Sequence, residues 1–175
     1  MPETEIELDP VTHITFDAVG KPGQRTFYVQ GWKDEKIVTL LIEKVQIQSL
    51  ALGVEQFLDE LDKKFPQLPP ATVDFDESKM HIQPPVDPLF RVGEFELGYD
   101  GLRDRIKLLA REILTEEMTR EDARTVSFWC TRSQLRVLAH WGVELTERGR
   151  PICPQCGQPM DPEGHFCPKK NGHKH

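Results

Sequence analysis

Three cysteines and three histidines fall within residues 153–175, in the run CPQCGQPMDPEGHFCPKKNGHKH. Cys153 and Cys156 stand at C-x-x-C spacing and are followed by Gly157. That spacing lets two thiolates converge on one ion while the backbone turns tightly beneath them, a turn that glycine permits. Cys167, in a second turn rich in Gly and Pro, supplies a third sulfur. Zn2+ takes four tetrahedral ligands. The fourth is read as a histidine, because the remaining cysteine, Cys130, belongs to a strand end in the body. His165 gives C-x2-C-x8-H-x-C and His173 gives C-x2-C-x10-C-x5-H. Both close the site, and His165 is preferred with His173 as the alternative. A closed donor set is structural, whereas catalytic zinc keeps an open position and a nearby base. So short a segment buries no core and is expected to fold on its metal. A disulfide or a redox pair fits less well, since the chain starts with no secretory signal and the C-x-x-C does not open a helix after a strand.

A second group with chemical potential is the loop Lys21-Pro22-Gly23-Gln24-Arg25. Exposed backbone amides with two cations can hold a phosphate or carboxylate, although the spacing of a Walker loop is absent. A plain hairpin turn is the simpler reading. Arg91 occupies a related place in the second half of the chain, so a ligand or enzyme site between the halves, near Lys21, Arg25 and Arg91, is the alternative function. His13, His81 and His140 have no ligand or triad spacing, and no G-x-S-x-G or Cys-His arrangement is present. No catalytic residues are assigned.

These residues must be positioned by elements that are visible in the pattern. Ile37, Val38, Leu40, Leu41 and Ile42 form an apolar run of strand composition. Ile47, Leu50, Ala51, Val54, Phe57, Leu58 and Leu61 then repeat at the three-and-four spacing of one helical face, to about Lys64. A shift of 88 residues lays Val38, Leu40, Ile42, Gln46 and Leu50 over Val126, Phe128, Cys130, Gln134 and Leu138. The body is therefore read as α+β: duplicated βββα units forming one antiparallel sheet with two helices on one face. Residues 1–149 make this body, with repeat one at about 11–65, repeat two at about 91–148, and a zinc-ribbon-like knuckle at 150–175. Between the repeats, residues 66–90 hold six prolines, too many for a helix or inner strand. They are read as a strap across the surface, with a short edge strand near 71–75. RIKLLAREI suits a helix by propensity, but the repeat assigns it to a strand. Thr131 and Gln134 form a capping-box pair that opens the second helix.

Composition narrows the function classes. The net charge is −7, and residues 150–175 carry +2 of it, so the body carries −9. An acidic body disfavours binding along a phosphate backbone, and nucleic acid is expected only through the tail. No apolar run is long enough to span a membrane, and the acidic start lacks a signal region; a cytoplasmic location is expected.

GKPGQRTFYVQ, EKVQ, FRVGEFELGYD and CPQCGQPMDPEGHFCPKKNG together resemble an uncharacterised bacterial family, catalogued as domain of unknown function 3090. The resemblance covers most of residues 12–172 and is most specific in the tail. It implies a shared architecture and metal, and it favours His165, because that family's Gly-His-x-Cys-Pro run recurs while the place of His173 is often tyrosine. It implies no reaction. The expectation is a non-catalytic module with a structural zinc site and a protein partner, with homo-oligomerisation open.

Overall fold

The computed structural model of the protein describes residues 4–21 and 23–148. Cys153, Cys156, His165, Cys167 and His173 lie outside the described residues, as does the expected helix stop Gly149. The chain opens with a short strand, β1 (Glu5–Leu8), and continues into an antiparallel meander, β2 (His13–Val19), β3 (Thr26–Lys33) and β4 (Lys36–Ile42). Helix α1 (Lys44–Lys64) follows. After the proline-rich stretch come a second meander, β5 (Val92–Asp100), β6 (Arg105–Glu112) and β7 (Thr125–Cys130), and helix α2 (Arg132–Glu147).

The expected single antiparallel sheet is replaced by two sheets, one ordered β2-β3-β4 and one ordered β1-β7-β6-β5, and β1 joins β7 in parallel. The sheets meet at two seams made of irregular chain. Val11 N donates to Trp129 O and Thr12 N to Trp32 O at one; Leu89 N donates to Thr39 O and Leu41 N to Phe90 O at the other. Pro10 and Pro88, beside these seams, lack the amide donor that a continuous ladder requires. Pairing therefore stops after one or two bonds and the sheet divides.

Alternation sets the faces of each strand. Ile14 pairs with Gly31 and Phe16 with Val29, all inward, whereas Thr15 pairs with Gln30 and Asp17 with Tyr28 on the other face. In β6, Ile106, Leu108 and Ala110 alternate as buried residues. Burying that apolar face holds the segment as a strand against its helical propensity. Phe128 is fully buried and its neighbour Trp129 lies outside beneath Arg103, 4.6 Å from ring centre to guanidinium carbon. Gly31 lets the sheets approach: a Cβ there would sit 2.6 Å from the Phe128 ring.

Each helix begins at a cap: Gln46 Oε1 accepts from Glu43 N at 2.8 Å, and Thr131 and Gln134 each accept from the backbone of the other. The helices run antiparallel, with Ile47 against Gly142 and Glu55 beside Arg136 and His140. Trp141 is completely buried and its Nε1 donates to the Phe16 carbonyl at 2.7 Å, so α2 covers the outer edge of β2. Truncating a buried tryptophan to alanine costs about 3–5 kcal/mol.

Residues 71–75, expected as an edge strand, are irregular; the one regular piece between α1 and β5 is a 3-10 turn, Glu77–Lys79. The stretch finds its bonds with side chains instead. Arg132 donates to Pro69 O, Arg136 to Ala71 O, and Thr72 N to Ser133 Oγ, which lays its first half along α2. Its second half crosses the outer face of the three-stranded sheet. There Thr15 Oγ1 donates to Met80 O (2.6 Å), Ile82 N to Asp17 Oδ2 (2.9 Å), and Gln30 exchanges two hydrogen bonds with the Gln83 backbone (2.8 and 3.1 Å).

Candidate functional site

The chemistry suggested by the sequence sits beyond α2, so the end of that helix decides how the C-terminal segment leaves the body. The carbonyls of a last helical turn have no intrahelical partner and attract cations. Arg25 fills this role: its Nη2 donates to Leu145 O (3.3 Å) and Arg148 O (2.5 Å). Its guanidinium lies 4.9 Å from the Phe27 ring centre, and burial lowers its pKa. Arg148 itself bonds Glu77 on the strap and Glu144 one turn back, and its guanidinium stacks 5.1 Å over Trp141. The pair with Glu77 raises the pKa of Arg148 and lowers that of Glu77. The β2–β3 turn, the strap and α2 thus converge on the last described residue before the cysteine-rich segment.

Arg91, the other expected anion ligand, pairs with Glu43 at the start of α1. Arg25 therefore serves the C-terminal end of one helix and Arg91 the N-terminal corner of the other. Lys21 is exposed in the hairpin turn, where its carbonyl accepts from Gln24 N at 2.9 Å. None of the four cavities described below is lined by Lys21, Arg25 or Arg91.

A cavity of about 440 Å³ lies between the helices, with Ala51 and Ala139 at its base and Val143, Glu55, Arg136, His140, Glu144 and Glu147 around it. Glu55 Oε1 is buried in it without a hydrogen bond; His140 Nε2 at 3.0 Å is misaligned and Arg136 Nε at 3.7 Å is too distant. Nothing in the spacing of these residues announced the cavity, because it needs two helices from opposite halves of the chain. Two further cavities, of about 280 and 450 Å³, flank the strap and share His13 and Lys79. His13 packs edge-on against Trp32 at 4.7 Å and bonds Lys79 O at 2.9 Å, and burial lowers its pKa. His81 sits 3.3 Å from Asp17. The fourth cavity, about 340 Å³, lies between α1 and β5 beside Leu50 and Phe95.

Among the described residues, no group of three or more His, Cys, Asp or Glu is arranged to hold a metal, and no helix is long and apolar enough to cross a membrane. The described cysteine, Cys130, is fully buried, which pushes its thiol up to about 12 and leaves it outside metal or redox chemistry. The donor set expected from the sequence, Cys153, Cys156 and Cys167 with His165 or His173, is of a chemistry that suits zinc and lies outside the described residues. A model of a protein family of unknown function, DUF3090, matches residues 6–167, a span that includes Cys153, Cys156, His165 and Cys167 but not His173. No curated protein and no solved structure matches the chain.

Proposed function

Since the chain belongs to the DUF3090 family of unknown function, its role has to be inferred from its own surfaces, and we propose a non-catalytic protein-binding module with a structural zinc site. In this reading the two meander-plus-helix segments are duplicated βββα units, and they act as a rigid base. The knuckle at 150–175 presents a small surface to a protein partner in the cytoplasm. Cys153, Cys156, His165 and Cys167 hold the ion, with His173 as the alternative fourth ligand. The zinc fixes the fold of a segment too short to bury a core; it has no open position for substrate.

The observation that carries this reading is the anchorage of Arg148. Arg25, Glu77, Glu144 and Trp141 all bear on that residue or its carbonyl, so the cysteine-rich segment departs from a defined point. A presented surface gains affinity from such preorganisation. The two arginines that favoured an anion site are both engaged in holding helix ends, which supports the scaffold role over the ligand-site alternative.

Metal analysis of the purified full chain is expected to give one zinc per molecule, lost in Cys153→Ser with no change in the far-UV spectrum of the body. Proteins captured by the wild type and not by Cys153→Ser are the candidate partners. A zinc-free preparation, or turnover of a hydrolase or transferase substrate, would overturn the proposal.

A further inference from the structure

We propose that the groove between α1 and α2 docks the lysine-rich end of this same chain, Lys169, Lys170 and Lys174. This goes beyond the zinc reading and does not depend on it. The groove has an apolar lining, with Ala51 and Ala139 buried at its base and Val143 exposed at its side, that accommodates the aliphatic stems of lysines. Its rim offers three carboxylates, Glu55, Glu144 and Glu147, against Arg136 and the imidazole of His140. Arg148 pairs with Glu144 from outside, and Arg136 is held to the strap through Ala71 O. Glu55 Oε1 is buried and makes no aligned hydrogen bond, although His140 Nε2 lies 3.0 Å away and Arg136 Nε, itself buried and unbonded, 3.7 Å away. A buried carboxylate oxygen without an aligned hydrogen bond is costly, and a lysine ammonium entering the groove can supply a charge-assisted one.

Charge and reach identify the occupant. Residues 150–175 carry four cations and two carboxylates, while the rest of the chain is strongly acidic. The groove is built on the last turns of α2, so the chain beyond Arg148 begins at its mouth. From Arg136 to Glu147 the groove runs ~16 Å at ~1.5 Å per helical residue. If the four ligands close on zinc, five residues from Arg148 to Cys153 still span up to ~17 Å and two from Cys167 to Lys169 about 7 Å more. The lysines therefore reach Glu55 with the knuckle folded or unfolded.

Zero-length carbodiimide cross-linking of the full chain, mapped by mass spectrometry on the monomer fraction, tests this. Links from Lys169, Lys170 or Lys174 are expected on Glu55, Glu144 or Glu147, falling at least fivefold in 1 M NaCl. The double variant Lys169→Glu/Lys170→Glu is expected to speed amide hydrogen exchange in the last two turns of α2. Links spread evenly over carboxylates elsewhere on the body would overturn the proposal. So would links confined to covalent dimers, which would make a second copy the occupant, or hydrogen exchange unchanged by the double variant. Zinc measured in the same samples separates the two ideas: zinc without these links refutes the docking alone, and links without zinc refute the metal reading alone.

Discussion

Gln30 is completely buried in the middle strand of the three-stranded sheet, on the face that the strap covers. Its amide makes three bonds: Nε2 to Thr39 Oγ1 at 2.9 Å, Nε2 to Gln83 O at 3.1 Å, and Oε1 from Gln83 N at 2.8 Å. Gln30→Leu keeps the volume of the side chain and removes all three. At about 1 kcal/mol per bond with a polar partner left behind, the expected loss is about 3 kcal/mol. Gln83 is exposed, so its backbone regains water and the figure falls toward 2. For a domain of this length that is a drop of roughly 5–10 °C in melting temperature. Chemical denaturation with an unchanged m-value measures the loss, and hydrogen exchange at the Gln83 amide locates it. Thr15→Val removes a second tie to the strap, through Met80 O. Since a strap already lifted at Gln83 has less to lose at Met80, the double variant should fall short of the sum by 0.5 kcal/mol or more. A Gln30→Leu loss below about 0.5 kcal/mol, or strict additivity, would refute the view that residues 80–83 are held as a unit.

Glycine substitutions at two helical positions should move stability in opposite directions. Gly53→Ala meets nothing within 4 Å and gains up to about 1 kcal/mol from helix propensity, whereas Gly142→Ala places a Cβ 2.8 Å from Ile47 and 2.9 Å from Phe16 and should lose about 1 kcal/mol net; equilibrium unfolding decides both. Asp104 has its pKa lowered by the bonds from Arg132, with Tyr99 adding to the effect. A depressed carboxyl contributes stability that is present above its unfolded value of 3.8 and lost as pH falls through its folded value; Asp104→Asn should therefore flatten the acid limb below about pH 4 and leave its shape near pH 7 unchanged. Thiol titration of the native chain should find Cys130 silent, with Cys153, Cys156 and Cys167 reacting after chelation and Cys130 only after denaturation. Four reactive thiols before denaturation would contradict the burial of Cys130.

Much of the fold was legible because local signals agreed with one another. The helices were visible from Ile47, Leu50, Val54, Leu58 and Leu61 and from the Thr131–Gln134 cap, and the boundaries of α2 follow the expected ones. Division into two sheets was not legible, since it depends on where Val11, Thr12, Leu89 and Phe90 find partners far along the chain. The anchoring role of Arg25 was also hidden. Loop composition signals an anion site and a helix cap equally, because both are backbone or side-chain charges facing an opposite partial charge. The polar row Thr15, Gln30 and Thr39 did leave a trace in the sequence. Amide and hydroxyl residues at alternating positions inside otherwise apolar strands need a buried partner, and a long proline-rich connector is a supplier of unpaired carbonyls.

The strap also bears on how the body unfolds. Pro69, Ala71 and Thr72 are tied to α2, Met80, Ile82 and Gln83 to β2 and β3, and Leu89 and Phe90 to β4. Every one of those ties joins the connector to an element on one side or the other of it in the chain, and α1 packs along α2 across the same divide. A segment with flexible-linker behaviour would leave each half able to open alone. Here opening either half releases bonds made to the connector and exposes the helix face of the other. Cleavage between residues 66 and 90 should therefore require opening of the strap, and the two halves should melt in one transition even after the backbone is cut.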